Sequence, residues 1–289
     1  MRRTAIVVGG GIGGLATAAA LTRTGWQVTL LEQARSFGPA GAGITLAPNA
    51  VRALDWLGLG EQLRAHGKAH GAAGLRASSG RWLMRTDVQE LQRRFGQPAF
   101  ALHRADLHRM LADAVPATTL HTAHQVTSVA QGHDRATVTY HGPKGQGTAS
   151  ADLVVAADGI HSRLRSVRFP THPGPAYAGY ITWRGLVPAQ AAQSLGPAAA
   201  VTETWGRGRR FGIVPLADGK VYWYATASLP QGAHAGDGLA DLAAHYRGWH
   251  APIPQLLQAT PPEVLLRHDI YPPGHTGAVL CRQPGCAAG

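Results

Sequence analysis

Three glycines near the start of the chain, Gly9, Gly11 and Gly14, have the spacing of a loop that binds the diphosphate of a dinucleotide. An apolar segment at residues 5–8 predicts a buried strand before them, and residues 12–22 predict a helix after them. Gly9 permits a tight turn, Gly11 lets the backbone approach the ligand, and Gly14 lets the helix pack closely on the sheet. The positive end of the helix dipole then faces the diphosphate.

A carboxylate follows the next predicted strand, where the ribose of a dinucleotide would lie. Gly25 ends the helix, and the apolar residues 27–31 predict a central parallel strand that leads to Glu32. Glu32 can accept both hydroxyls of an adenosine ribose, and its charge repels a ribose 2′-phosphate, so FAD or NAD is predicted rather than NADP. Because a glycine triplet alone is weak evidence, this prediction depends on the order of strand, loop, helix and acid.

A secretory signal is the alternative interpretation of the same segment. Arg2 and Arg3 precede a largely apolar run over residues 5–21, but the glycines within it would make a poor hydrophobic segment. The two cysteines, Cys281 and Cys286, are too few for a disulfide framework and indicate a reducing compartment. We therefore expect a cytoplasmic protein.

The composition indicates a folded chain of one large or two ordinary domains, with 289 residues of which 45% are hydrophobic. Apart from the glycine-rich start, no stretch is long and apolar enough to predict a membrane span. The formal charge of +11 comes from scattered basic residues, which predicts general surface charge rather than a nucleic-acid partner. The histidines lack metal-ligand spacing on a convincing helix, so no metal site is expected. The oligomeric state stays open.

The later part of the chain predicts further strands and helices. The apolar strand at residues 153–157 stops at Asp158–Gly159 and is expected to return to the first sheet. Beyond residue 170, aromatic-rich segments predict an antiparallel sheet with helical cover. The other predicted elements are helices at 48–57, 106–115 and 239–250, two short strands within 71–85, a hairpin of 126–130 and 136–140, and strands at 177–187, 200–205, 210–214 and 221–228.

Three further sequence segments are informative about the protein family when they are taken together. They are ALHRADLHRML at residues 101–111, DLVVAADGIHSRLR at 152–165, and YAGYITWRGLV at 177–187 followed by RRFGIVPLADGKVYWYA at 209–225. With the first loop they resemble the FAD-dependent aromatic hydroxylase family, the single-component flavoprotein monooxygenases, in its urate and salicylate hydroxylase branch. The resemblance extends from residue 1 to about residue 280.

The resemblance implies an α/β fold, α+β overall, in which an antiparallel-sheet substrate domain interrupts a Rossmann-like FAD-binding domain with a parallel central sheet. The FAD-binding domain is expected at residues 1–70 and 98–170, with 275–289 as a truncated return strand. The substrate domain is expected at 71–97 and 171–274.

Site residues follow from the resemblance in the same way. Arg104 matches the arginine that the family places beside the FAD diphosphate, and Asp158–Gly159 matches the pair that serves both FAD and the incoming NAD(P)H. Arg210 and Tyr222 occupy the places of an arginine and a tyrosine that lie over the substrate, and they are the predicted catalytic residues. The predicted cofactor-binding residues are Gly9, Gly11, Gly14, Glu32, Arg104, Val126, Asp158, Gly159, His161 and Arg165, of which the last two are candidate contacts for the nicotinamide nucleotide.

The reaction implied by the resemblance needs FAD, NAD(P)H and O2. NAD(P)H reduces the flavin, and one oxygen atom of O2 passes to a small aromatic or heteroaromatic substrate. Arg210 would hold a substrate carboxylate or polarise an oxygen, and Tyr222 would help to take the substrate's proton.

The end of the sequence departs from the family pattern. Family members continue with a strand and a Gly-Asp turn that binds the ribityl chain, whereas here a strand predicted at residues 277–280 is followed by CRQPGCAAG. A truncated, catalytically inactive FAD-binding remnant is therefore the alternative to an active monooxygenase. An NAD-dependent dehydrogenase is disfavoured, because Arg104 and Asp158–Gly159 would then have no reason to accompany the first loop.

Overall fold

A computed structural model of the chain describes residues 2–38, 42–70, 73–86, 88–195, 200–233, 238–272 and 280–281. The chain forms two compact units. The first comprises Met1–Pro39, Leu107–Ala176 and Tyr271–Gly289, and the second comprises Ala40–Asp106 and Tyr177–Ile270.

The strands are, in chain order, β1 (Thr4–Val8), β2 (Gln27–Leu31), β3 (Gly43–Leu46), β4 (Lys68–His70), β5 (Ala73–Ala77), β6 (Trp82–Arg85), β7 (Ala99–His103), β8 (Leu120–His121), β9 (Gln125–Gln131), β10 (Ala136–Gly142), β11 (Gly145–Ala151), β12 (Leu153–Ala156), β13 (Ile181–Val187), β14 (Val201–Gly206), β15 (Arg209–Pro215), β16 (Val221–Ala227), β17 (Leu266–Asp269) and β18 (Leu280–Cys281).

The helices are, in chain order, α1 (Ile12–Arg23), α2 (Pro48–Trp56), α3 (Gly60–His66), α4 (Val88–Phe95), α5 (Arg104–Asp113), α6 (Arg163–Arg168), α7 (Ala189–Ser194), α8 (Leu239–His245) and α9 (Ile253–Gln258).

The first unit is built on a sheet of order β18-β12-β1-β2-β8. β1 pairs in parallel with both β2 and β12, β2 pairs in parallel with β8, and β18 pairs antiparallel to β12. Residues 5–8 are all at most 4% exposed, because a central parallel strand is covered on both faces. The predicted return of the strand before Asp158 to the first sheet is therefore confirmed. Of the strand predicted at residues 277–280, residues 277–279 lie outside the described residues.

A second sheet of the first unit has the order β11-β10-β9 and is antiparallel. Val126, Ala136 and Val138 from this sheet pack with Ile6, Val8 and Val154 of the central sheet in one apolar core. The predicted hairpin is present as β9 and β10. Strand β11 was not predicted, because GQGTASA contains few of the β-branched and aromatic residues that mark a strand.

The main sheet of the second unit has the order β17-β13-β16-β15-β14-β5-β6. Its pairs are antiparallel except that β14 and β5 run in parallel, which corrects the expectation of a purely antiparallel sheet. One face carries buried Trp183, Phe211 and Trp223, which pack against residues of α7, α8 and α9. Since side chains alternate along a strand, Arg184, Arg210, Tyr222 and other neighbours of these residues lie on the opposite face.

A smaller antiparallel sheet of order β3-β7-β4 completes the second unit. Ala101 of β7 and Tyr222 of β16 belong to one apolar cluster with Ala42, Val214 and Leu216. This packing explains why residues 40–70 and 98–106 fall in the second compact unit, whereas the predicted FAD-binding domain includes them.

Helix α8 is shorter than predicted. The helix predicted at 239–250 ends at His245, and Gly248 follows with φ of +77°. A separate helix, α9, follows and was not predicted; Pro254 lies in its first turn, where no N–H is required. Among the described residues, no helix is both long and apolar enough to cross a membrane.

Candidate functional site

The loop between β1 and α1 requires glycine at its first position. Gly9 has φ of +104°, and a Cβ there would lie 2.4 Å from the carbonyl oxygen of Ala157. The Gly9 N–H donates to the carbonyl oxygen of Leu31 at 2.8 Å, which holds the turn to the end of β2. A larger residue would meet both an unfavourable backbone angle and a fixed carbonyl group.

The space around the Cα atom differs between the other two predicted glycines, Gly14 and Gly11. Gly14 lies against the loop, since a Cβ there would come within 1.8 Å of the Gly9 carbonyl oxygen. Gly11 is the N-cap of α1, and a Cβ there would meet nothing within 4 Å. The open space beside Gly11 therefore lies at the helix end whose backbone N–H groups attract anions.

Glu32 lies directly after β2 and binds the same loop. Its carboxylate accepts the N–H of Gly10 at 2.5 Å through Oε2 and the N–H of Ala34 at 2.7 Å through Oε1. The side chain is half-buried. A carboxylate oxygen has two lone pairs, so each oxygen keeps capacity to accept a hydroxyl group.

Asp158 caps the helix that follows β12. Its Oδ1 accepts the hydroxyl of Ser162 at 2.6 Å, and its Oδ2 accepts the N–H of Leu164 at 3.1 Å. Ser162 in turn accepts the N–H of Arg165 at 2.9 Å as the N-cap of α6. Gly159 has φ of +84°, which favours glycine after the aspartate. This network fixes the Asp158–Gly159 turn against the helix.

His161 and Arg165, predicted to contact the nicotinamide nucleotide, point to different partners. The Arg165 guanidinium donates to the carbonyl oxygen of Ile160, within the same turn. The exposed His161 ring lies edge-on to Tyr271, with ring centroids 5.9 Å apart. Only His161 of the two borders the cavity of the first unit.

A cavity of about 250 Å³ brings most of the predicted cofactor residues together within the first unit. It lies at the carboxyl ends of β1, β2 and β12, where ligands bind in open parallel sheets. Gly14 and Arg165 do not line it, and Arg104 belongs to the second unit. The lining residues are Val8, Gly9, Gly11, Leu31, Glu32, Gln33, His124, Gln125, Val126, Ala157, Asp158, Gly159, His161 and Arg163.

Arg104 begins α5 in the second unit. Its backbone N–H donates to the carbonyl oxygen of Ala42 at 2.9 Å, and its side chain is half-buried. Arg104 follows β7 directly, so the end of that strand determines its position.

Arg210 and Tyr222 lie on the face of the main sheet opposite its buried core. Arg210 is exposed, and its guanidinium carbon lies 5.9 Å from the ring centroid of Trp205. Tyr222 is only 6% exposed, and its ring occupies the space that a Cβ on Gly43 would need, 2.4 Å away. Burial raises the pKa of Tyr222, and the charge and hydrogen bond of Arg184 offset part of that rise.

Tyr224 is the next residue of β16 on the same face. Its ring centroid lies 6.1 Å from that of Tyr222, and its hydroxyl donates to Oε2 of Glu203. Burial raises the pKa of Tyr224 well above its usual range, and the negative charge of Glu203 adds to this rise. The face therefore combines two neutral phenols with Arg184, Arg210 and a carboxylate.

Comparisons with known proteins identify the family. The sequence profile of a family described as an FAD binding domain matches residues 2–236 of the chain. The chain belongs to the FAD-dependent aromatic hydroxylase family. This family member is 35% identical over 272 residues to the aurachin C monooxygenase/isomerase of Stigmatella aurantiaca, with 93% of the chain and 68% of that relative covered.

Two further similarities concern urate hydroxylases. An FAD-dependent urate hydroxylase of Klebsiella pneumoniae is 32% identical over 304 residues, with 98% of the chain and 78% of the relative covered. The crystal structure of Klebsiella pneumoniae HpxO complexed with FAD and uric acid aligns with a TM-score of 0.84 at 31% identity, and covers 93% of the chain and 68% of HpxO. The predicted fold class, a mixed α/β protein with parallel and antiparallel sheets, is confirmed.

The residues at the first-unit cavity fit FAD, the cofactor of the family. Gly11 leaves open space at a helix N-terminus for a diphosphate, and Glu32 presents carboxylate oxygens for ribose hydroxyls. The geometry fits the adenosine end, and the individual contacts stay predictions.

Several cavity residues were not predicted from the sequence. Gln33 follows Glu32, and Gln125 precedes Val126, so each lies one residue beyond a predicted position at a strand end. His124 also lines the cavity, and its ring lies 5.1 Å from that of Tyr140. Their position next to predicted strand ends is the sequence feature that could have identified these residues as cavity-lining. Within the described part of the chain, no group of three or more His, Cys, Asp or Glu side chains could hold a metal ion.

Proposed function

We propose that this protein is an FAD-dependent monooxygenase that hydroxylates a small aromatic or heteroaromatic substrate with NAD(P)H and O2. The observation that carries the proposal is the convergence of the glycine loop, Glu32 and Asp158–Gly159 on one cavity in a member of this family. Relatives that match more than nine-tenths of the chain are monooxygenases or hydroxylases by name, which supports the reaction class.

Residues of the first unit would hold the dinucleotide. The Gly9–Gly14 loop and the first N–H groups of α1 would bind the diphosphate, and Glu32 would accept the ribose hydroxyls. Val126, Gly159 and His161 border the same cavity and are proposed as further contacts. Arg104 beside the diphosphate and Arg165 beside the nicotinamide nucleotide are proposals that rest on the family resemblance.

Bound FAD would supply the redox chemistry, since it takes electrons from NAD(P)H and activates O2 for transfer of one oxygen atom. The protein's contribution is to bind, to orient and to exclude water. The choice between NADH and NADPH stays open, and the cytoplasmic location stays a prediction from the sequence.

Residues of the second unit would bind the substrate. Arg210 is exposed and charged, so it could form paired hydrogen bonds with a carboxylate or polarise an oxygen atom. Tyr222 is proposed to help to take the substrate's proton; burial raises the pKa of its phenol, and the adjacent Arg184 offsets part of that rise. In the proposed domain organisation, the substrate domain comprises residues 71–97 and 171–274. The FAD-binding domain comprises residues 1–70, 98–170 and 275–289.

An absorbance spectrum of the purified chain tests the cofactor, and NAD(P)H oxidation with urate and with aromatic acids then tests the reaction. The proposal predicts a flavin spectrum, substrate-stimulated NAD(P)H oxidation and a product that carries one added oxygen atom. A yellow protein without activity on any of these compounds would support the alternative, an inactive protein that binds FAD. A colourless protein that does not take up added FAD would overturn both.

A further inference from the structure

Three side chains enclose one residue of the glycine loop, Gly10. The Gly10 N–H donates to Glu32 Oε2 at 2.5 Å, and the Gly10 carbonyl oxygen lies 2.7 Å from Nε2 of His108. The ring of Phe37 covers the Cα of Gly10, since a Cβ there would lie 2.6 Å from Phe37 Cε1. Both polar groups of Gly10 are therefore fixed, each by a different side chain.

The direction of the His108 hydrogen bond follows from its partner. A carbonyl oxygen only accepts, so Nε2 of His108 carries the proton and donates it. The imidazole is half-buried and packs on Phe37, with ring centroids 5.1 Å apart and planes inclined by 55°. Helix α5 thus holds the donor in place from a segment about a hundred residues away in sequence.

Peptide geometry carries the effect of His108 to the next residue. The Gly10 carbonyl and the Gly11 N–H belong to one planar trans peptide, so they point in opposite directions. When His108 fixes the carbonyl, it also fixes the Gly11 N–H on the far side of the peptide. Gly11 lines the cavity, and the space beside its Cα is open.

We propose that His108 is a positioning residue for the diphosphate of the dinucleotide: by holding the Gly10 carbonyl, it orients the Gly11 N–H as a donor to that diphosphate. This inference rests on the proposed binding of FAD at this loop. It assigns a role to a side chain that does not line the cavity and is not among the predicted cofactor-binding residues.

The test uses the full chain stripped of flavin, with FAD and ADP as probes. His108→Leu removes the donor, His108→Asn is polar but too short to reach, and His108→Gln places an amide N–H near the position of Nε2. We expect about tenfold weaker binding of FAD and of ADP, measured by calorimetry, for the Leu and Asn variants. The Gln variant should bind both within about threefold of wild type.

Two further measurements separate positioning from general structural damage. The ³¹P resonances of bound FAD should move in His108→Asn and return in His108→Gln, because they report on donors to the diphosphate. His133→Leu, at an exposed turn of the same unit, is the matched control and should leave affinity and resonances unchanged.

The outcomes distinguish this inference from the proposed function. Wild-type binding of FAD with equal affinity in all three His108 variants would overturn the role of His108 and leave the proposed function intact. Equal weakening in Leu, Asn and Gln variants would also overturn it, since packing on Phe37 would then explain the loss. Failure of the wild-type chain to bind FAD or ADP would overturn the proposed function itself.

Discussion

Gly14 in the first turns of α1 lies directly against Gly9, so that a Cβ at Gly14 would come within 1.8 Å of the Gly9 carbonyl oxygen. The obstacle is backbone that is itself held to β2 by a hydrogen bond, so it cannot move aside without disrupting the sheet. This contact links the stability of the fold to the geometry of the loop.

Gly14→Ala should therefore destabilise the protein by about 1–3 kcal/mol, the usual range for forced overpacking. Gly13→Ala is the matched control, because a Cβ at Gly13 would meet nothing within 4 Å and alanine favours a helix by about 0.5–1 kcal/mol over glycine. Urea unfolding of both variants without cofactor measures the difference. Equal stabilities would contradict the packing argument.

Gly11→Val should separate cofactor binding from folding. The extended backbone of Gly11 has φ of −71°, and open space surrounds its Cα, so the side chain itself meets no obstacle in the protein. The valine would instead fill the space proposed for the diphosphate. We expect the midpoint of unfolding in urea to stay close to that of wild type. The affinity for FAD, measured by quenching of flavin fluorescence, should fall by more than tenfold. Normal flavin content in the variant would defeat the assignment of this space.

Glu32→Ala should weaken FAD binding for two reasons. It removes the acceptor proposed for the ribose, and it leaves the N–H groups of Gly10 and Ala34 without the carboxylate that they share. Hydrogen bonds to charged groups contribute about 1.5–3 kcal/mol, so the dissociation constant should rise by at least about tenfold. Glu61→Ala, at an exposed site of α3, is the control and should bind FAD as wild type does.

The buried phenols predict a loss of stability at alkaline pH. The pKa of Tyr224 is raised in the folded state, so above the ordinary value near 10 the unfolded chain releases this proton while the folded chain retains it. Unfolding is then favoured as pH rises, up to the folded-state pKa. Tyr224→Phe lacks this proton, and its stability should therefore fall less steeply than that of wild type.

Unfolding free energies of wild type and Tyr224→Phe between about pH 8 and pH 11 check this prediction. At pH 8 the variant should be less stable, because the hydrogen bond to Glu203 is lost. The two stability curves should approach each other with increasing pH. Parallel curves would show that Tyr224 retains an ordinary pKa.

The first forty residues were the most predictable part of the chain. A strand, three spaced glycines, a helix and a strand that ends at Glu32 are all encoded locally, and the structure places each of them within a residue or two. Local turn signals also located β5 and β6, where Gly80 has φ of +89°. Local sequence patterns were sufficient to predict these elements, because each one is determined by residues that are close together in the sequence.

Long-range relationships were not accessible from the sequence. The parallel pairing of β14 with β5 joins strands more than a hundred residues apart, and no local pattern specifies such a register. Tertiary packing likewise places residues 40–70 in the second unit through contacts such as Tyr222 with Gly43. The contact of His108 with Gly10 joins two elements that only the folded sheet brings together.

The Gly9–Gly14 loop and Glu32 are proposed to bind the adenosine diphosphate part of FAD. A crystal structure of the purified chain with FAD tests it most directly. We predict the diphosphate at the N-terminus of α1 within hydrogen-bond distance of the Gly11 N–H, and the adenosine ribose at the Glu32 carboxylate. FAD bound elsewhere, or a diphosphate turned away from α1, would contradict the account.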